Sequence, residues 1–257
     1  MKTAEKSITL KTAEEIELLY RANQIVATVL DSLRASVREG VSTYTLDLIA
    51  EECCRDNGAS PAFKGYRGFP ASLCASVNEE VVHGIPSKHK ILKNGDIISL
   101  DFGSVYEGYF GDAAITVPVG HVAPSVEKLL KVTESSLMDG IHMAVIGNRI
   151  SDISRAVQTT CEDAGFFVVR QFVGHGIGTQ LHEPPEIPNY VQKQPSPRLL
   201  EGMVLAIEPM VNMGVSKVKI LKDQWTVVTA DRKPSAHFEH SIAITKDGPR
   251  ILSRLER

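Results

Sequence analysis

Residues recur along this chain at one fixed offset, and that offset constrains the fold more than any other feature. Leu92, Gly95 and Asp101 are matched by Leu199, Gly202 and Glu208, each pair 107 positions apart. In both copies an apolar strand leads into the acid. The same register holds upstream, in Gly40 with Gly147, Leu46 with Ile153, Ala50 with Val157, Cys54 with Cys161 and Gly58 with Gly165. One matched pair would carry no weight, but a run in a single register implies two structurally similar halves, each delivering a carboxylate at the end of a strand. Two such carboxylates facing each other require a strong positive partner, and a pair of metal ions is the obvious one.

Hydrophobic periodicity places the elements. Thr12-Ala13-Glu14-Glu15 reads as a capping box. Behind it Ile16, Leu19, Tyr20, Asn23, Val26, Ala27, Leu30 and Leu33 share one helical face, with Asn23 its single polar member. Gly40 closes that segment. A second helix follows Thr43, carries Leu46, Ile49, Ala50, Cys53 and Cys54, and stops before Gly58. The second half repeats the pattern: Pro124-Ser125 opens one helix, and Ser151 or Asp152 caps another that ends before Gly165. Strand-like runs lie between, over 72–77, 96–102, 113–119, 166–169, 203–207, 225–229 and 241–245. Helix pairs alternating with groups of strands predict an α+β fold, with one curved, mainly antiparallel sheet backed by four helices. Residues 1–257 are expected to form a single domain, with halves at roughly 12–119 and 120–250. The segment Gln192–Arg198 reads as a surface loop.

Bulk properties exclude several classes. With 43% hydrophobic and 23% charged residues the composition is that of a soluble globular protein, and a net charge of -3 without a basic run gives no reason to expect nucleic acid. Met1–Lys6 lacks the apolar region of a signal peptide, and no stretch approaches the ~20 apolar residues of a membrane span. Cys53, Cys54, Cys74 and Cys161 show no CxxC spacing, which fits a reducing cytoplasm.

Five residues are candidates for chemistry. Asp101 ends one strand and Asp112 precedes the next, with Gly103, Gly108 and Gly111 between them, a hairpin arrangement that brings two carboxylates together. Taken alone, a strand-end Asp and a turn Asp facing water account for the same pattern. His175 lies in Gly174-His175-Gly176-Ile177-Gly178, where a phosphate-binding loop or a core histidine are the competing readings. Glu208 and Glu239 flank apolar strands, where an unpartnered buried carboxylate is costly; a surface position at the strand tip is the competing reading. Together these residues are a ligand inventory for two divalent ions, best suited to Fe(II), Mn(II) or Co(II) and tolerant of Zn(II). Asp101-Phe102-Gly103 lacks the other kinase segments, His182-Glu183 is not followed by the second histidine of a zincin, and no Ser or Cys sits in a nucleophile elbow.

The run Val77–Pro86, with Asp96–Gly103, Gly174–Gly178, His182-Glu183-Pro184, Glu201–Pro209 and His237–Ser241, resembles the signatures of type I methionine aminopeptidases, in order and over nearly the whole chain. The resemblance implies the pita-bread fold, whose halves are related by a pseudo-twofold axis. It implies that Asp101, Asp112, His175, Glu208 and Glu239 hold two metal ions bridged by Asp112 and Glu239, that Glu208 is the general base, and that His83 and His182 hold substrate and transition state. The side-chain pocket would be formed by Phe63, Tyr66, Phe69, Cys74, Leu181 and Trp225. Phe69 stands where the family commonly has tyrosine, Leu181 where an aromatic is common and Phe63 where a small residue is frequent, so the pocket stays apolar with altered detail. The absence of a cysteine-rich leading segment resembles the bacterial form. Only 31 positions separate Glu208 from Glu239, leaving no room for the type II insertion. The implied function is removal of the initiator methionine from new polypeptides near the ribosome, by a cytoplasmic monomer. The rival readings are an X-Pro peptidase of the same fold, which usually carries a further N-terminal domain, and a binding protein on this fold without metals.

Overall fold

The computed structural model describes residues 8–255; the segment Met1–Lys6 lies outside them. Four helices form: α1 (Ala13–Ser36), α2 (Thr43–Asp56), α3 (Pro124–His142) and α4 (Ile150–Asp163). The strands are β1 (Ser60–Pro61), β2 (Leu73–Val77), β3 (Glu80–Val82), β4 (Ile97–Tyr106), β5 (Tyr109–Pro118), β6 (Phe167–Val168), β7 (Gly174–Gly176) and β8 (Glu183–Ile187). They continue with β9 (Val204–Ile207), β10 (Met210–Asn212), β11 (Val218–Ile220), β12 (Val227–Thr229), β13 (Ser235–His237), β14 (Glu239–Thr245) and β15 (Gly248–Ile251).

Nine strands make one antiparallel sheet in the order β1-β4-β5-β14-β9-β7-β8, with β2 on β4 and β15 on β14. The helices pack on its outer face. Ile98, Leu100 and Phe102 join α1 and α2 in one core, while Leu205, Ile207, Ile242 and Ile244 join α3 and α4 in another. Each fully buried aliphatic side chain of this kind contributes ~1.5–3 kcal/mol. The fold is thus the curved α+β architecture expected. Two small sheets, β13-β10-β6 and β11-β12-β3, lie apart from the single sheet expected; β6 and β12 fall within the strand-like runs 166–169 and 225–229, whereas β3, β10, β11 and β13 were not among them. Their strands are only two or three residues long and show no alternation to read.

The offset of 107 is visible in the backbone. The helix α2 (Thr43–Asp56) maps onto α4 (Ile150–Asp163) at both ends, and β1 (Ser60–Pro61) maps onto β6 (Phe167–Val168). The isolated bridge Ser42↔Ile91 maps onto Arg149↔Arg198. Loop hydrogen bonds follow: Ala59 N–H to Cys54 O matches Phe166 N–H to Cys161 O. Gly58 and Gly165 both take positive φ, 77° and 87°, after the paired helices, where a side chain would be strained.

Some local expectations are corrected. The α2 cap is Ser42, whose hydroxyl accepts Thr45 N–H. The α4 helix begins at Ile150, before both predicted caps, and Asp152 instead reaches back to accept Arg149 N–H at 2.8 Å. The β4–β5 hairpin is longer than its apolar core, so Asp101 and Asp112 lie inside strands rather than at their ends. Tyr106 and Tyr109 extend the pairing beyond the glycines.

The polar residue on the buried face of α1 has a structural task. Asn23 is fully buried; its Nδ2 donates to Leu19 O at 2.9 Å and its Oδ1 accepts Asp112 N–H at 3.2 Å. Beside it the chain comes so close to α1 that a Cβ on Gly111 would collide with the backbone of Ala22. Replacing Asn23 with Leu keeps the branched outline, in a larger side chain, and removes the acceptor. Chemical denaturation of Asn23→Leu is expected to show a loss of ~1–3 kcal/mol, the cost of an unsatisfied buried donor. Unchanged stability would contradict this account.

Candidate metal centre and active site

Strand register sets the site. Asp101 pairs with Ala114, and Ala114 pairs with Glu239. In the adjacent row Gly103 pairs with Asp112, while Ser241 pairs with Ala206 and Ala206 with His175. Residues directly opposite share a face, and so do residues two apart along a strand. Asp101, Asp112, Glu239 and His175 therefore lie on one face, opposite the helices. Glu208, two residues beyond Ala206, continues that face at the end of β9. Small residues, Gly103, Ala114, Ala206 and Ser241, occupy the positions between them. The sheet thus gathers all five predicted ligands from strands spread across the sequence.

The geometry is that of a cation site. His175 Nε2 lies 3.5 Å from Glu208 Oε1 and 3.8 Å from Asp112 Oδ2. Its Nδ1 donates to Gly176 O at 3.0 Å, which leaves a lone pair on Nε2 facing the acids. Burial pushes the His175 pKa down to about 3, so the ring is neutral near pH 7. Ligand atoms of Asp112, His175 and Glu239 all lie within 4.8 Å of one another. Buried oxygens of Asp101, Asp112 and Glu239 have no hydrogen-bond partner.

Electrostatics point the same way. Burial raises Asp101 to about 7. Burial first, and then the neighbouring carboxylates, hold Asp112, Glu208 and Glu239 well above the usual range. A cluster that can be ionised together only with cations present, plus one neutral imidazole, is a donor set that fits divalent metal.

The acids form the floor of a cleft of about 330 Å³. Phe63, Tyr66, Phe69, Cys74, Leu181 and Trp225 all line it, as do His83 and His182. The ring of Phe69 meets Trp225 edge-on at 5.1 Å, and Cys74 is buried as a neutral thiol. His182 stacks on Tyr66, and its Nδ1 lies 2.9 Å from the Tyr66 hydroxyl. Burial, and secondarily Arg67, lowers His182 to about 4; burial, and secondarily His182, lowers His83 to about 4. The His182 turn is anchored by a buried ion pair. Lys11 Nζ meets Glu183 Oε2 at 2.5 Å, while Glu183 Oε1 accepts Gln180 N–H at 3.1 Å.

Phe172, Met210 and His237 also face the cleft and were not among the candidates. Met210 follows Glu208-Pro209, and His237 precedes Glu239 by two positions, so spacing from the acids was an available signal for both. Nothing in the sequence marks Phe172.

Residues 17–246 match the family model described as metallopeptidase family M24. Methionine aminopeptidase 1 of Bacillus subtilis is 52% identical, over 96% of this chain and 100% of its own length. The methionine aminopeptidase of Clostridium acetobutylicum is 49% identical over 97% of this chain and 100% of its own. The crystal structure of a Thermotoga maritima methionine aminopeptidase superimposes with a TM-score of 0.95 at 44% identity, covering 97% of this chain and 100% of that one. A prolidase from Pyrococcus furiosus shares the fold with a TM-score of 0.78 at 23% identity, with 66% of its length covered, and that likeness carries the fold alone. The chain belongs to the M24 metallopeptidases and, within them, to the methionine aminopeptidases.

Proposed function

We propose that the chain, acting as one catalytic domain, removes N-terminal methionine from new polypeptides whose second residue is small. The observation that carries this reading is the cluster of four carboxylates and one neutral imidazole that lines an apolar cleft, in a chain whose full-length relatives are methionine aminopeptidases. Beyond the shared fold, nothing supports the X-Pro reading. The retained donor set argues against a metal-free binding protein.

Asp101, Asp112, His175, Glu208 and Glu239 would hold two divalent ions, with Asp112 and Glu239 shared between them. Fe(II), Mn(II) and Co(II) suit the set best, and Zn(II) is tolerated. When bound, such ions lower the pKa of water so that a nucleophile exists near neutral pH. Glu208 takes the proton of the attacking water and returns it to the leaving amine. His182 is neutral, and its Nδ1 lies 2.9 Å from the Tyr66 hydroxyl; in this role the hydroxyl would donate and leave the ring proton on Nε2. That N–H then donates to the developing oxyanion. His83 contacts the scissile amide nitrogen, and Asp101 receives the substrate's free α-amine, which accounts for action at an N-terminus. We place this activity in the cytoplasm, near the ribosome, as a monomer; no helix of the described residues is long and apolar enough to cross a membrane.

Glu208→Gln is expected to keep the fold and lose the ~10²–10⁴-fold of an acid–base group. His83→Ala and His182→Ala are expected to keep bound metal and lose kcat. Metal analysis beside kinetics checks this, and a histidine variant that lost metal outright would contradict the assigned roles.

Specificity follows from the pocket. An unbranched thioether fits an apolar slot walled by Phe69, Leu181 and Trp225, and a charged side chain would be desolvated there. Peptides Met-X are expected to be cleaved when X is Ala, Gly or Ser and strongly rejected when X is Lys or Phe. In an X-Ala series Leu and norleucine are expected to be poorer than Met by ~1–3 kcal/mol in kcat/KM. Equal turnover of Met-Ala and Met-Lys, or a preference for second-position Pro, would overturn the assignment.

A further inference from the structure

His237 ends β13 and is only 1% exposed. One hydroxyl pins its backbone on both sides. Thr116 Oγ1 donates to His237 O at 2.7 Å, and His237 N–H lies 2.9 Å from the same oxygen. Thr116 Oγ1 in turn meets Ser99 Oγ at 2.9 Å, so the position is tied to the β4 and β5 strands that bear Asp101 and Asp112. Such anchoring leaves the ring little freedom.

Yet neither ring nitrogen of His237 has a hydrogen-bond partner. A buried polar group without a partner is costly, and in a native structure it calls for an explanation. Nε2 points at the acids, 3.8 Å from Glu208 Oε2 and 4.0 Å from Glu239 Oε2. Glu208 is therefore flanked by two imidazoles, His175 beside Oε1 and His237 beside Oε2. They differ in one respect. The Nδ1 proton of His175 is committed to Gly176 O, which leaves Nε2 as an acceptor. No carbonyl holds the Nδ1 of His237, so its single proton can reside on Nε2, facing the carboxylate.

We propose that His237 is a positioning residue, whose Nε2–H holds Glu208 Oε2 and thereby turns Oε1 toward the His175 side of the centre. At 3.8 Å the pair is longer than a hydrogen bond, so the proposed contact requires the Glu208 carboxylate to move toward Nε2. The inference rests on the reading of Glu208 as ligand and base given above. Groups that orient a metal-binding side chain are worth ~10–100-fold in affinity or activity.

The test compares His237→Gln, which retains an N–H donor, with His237→Met, which retains volume alone. Both are measured as full chains for thermal stability, Mn(II) stoichiometry and affinity by calorimetry, and kcat and KM on a Met-Ala peptide. His237→Met is expected to lose ~10–100-fold in kcat or Mn(II) affinity, with stoichiometry and KM little changed. His237→Gln is expected to recover most of that loss. In the Glu208→Gln background the His237→Met change is expected to add little, because the partner is already altered. Equal damage in both His237 variants, the same loss in the Glu208→Gln background, or wild-type behaviour of His237→Met would overturn the proposal. So would loss of a whole Mn(II) equivalent, which would make His237 a ligand. Calorimetry needs no turnover, so it still decides the role of His237 if the wild-type chain fails to cleave Met-Ala.

Discussion

Four carboxylates share a buried site with one neutral imidazole, and much of the structure serves to keep them there. Desolvation alone costs several kcal/mol for each buried ion, and mutual repulsion adds to it. The protein does not relieve this with its own cations. Lys11, the one lysine buried among the described residues, is committed to Glu183. Oxygens on Asp101, Asp112 and Glu239 have no hydrogen-bond donor. The site is therefore unfavourable without an external positive charge and well matched to one.

The strain is tolerable because the scaffold is rigid. Register places the acids on two adjacent rows of a continuous antiparallel sheet, and small residues between them prevent crowding. The helix pairs hold the sheet from behind through separate apolar cores. Two equivalent halves solve the geometric problem economically, since the same helix–strand unit, used twice, carries Asp101 on one side and Glu208 on the other.

Much of this was legible in the sequence because it was encoded twice or periodically. The repeat announced itself through Leu92 and Leu199, Gly95 and Gly202, and the helices through their apolar faces. The candidate ligands stood out because an acid beside an apolar strand is costly without a partner. Chain ends of elements were less so. At α4 the cap was set by a backbone bridge to Arg198 and by Asp152 reaching back, contacts that depend on the distant loop 192–198. The extended hairpin owes its length to cross-strand pairing of Tyr106 with Tyr109, beyond the apolar run that marks its centre. His237 was not marked because its place beside the acids depends on which way the β13 strand faces, and three residues carry no periodicity.

The central claim is that the buried acids oppose their own ionisation until cations bind, and thermal unfolding against pH tests it without turnover. The folded-state pKa values of these acids lie above their unfolded values, so their contribution is present at low pH and lost as pH rises through the folded values. The buried histidines carry depressed values and act in the opposite sense, but only below their unfolded value of about 6.5. Between about pH 7 and 8 the acids dominate. The Tm of metal-free protein is expected to fall across that window, and saturating Mn(II) is expected to raise Tm, more so at pH 8 than at pH 7. A metal-free Tm that is flat or rising there, or a Tm indifferent to Mn(II), would contradict the account.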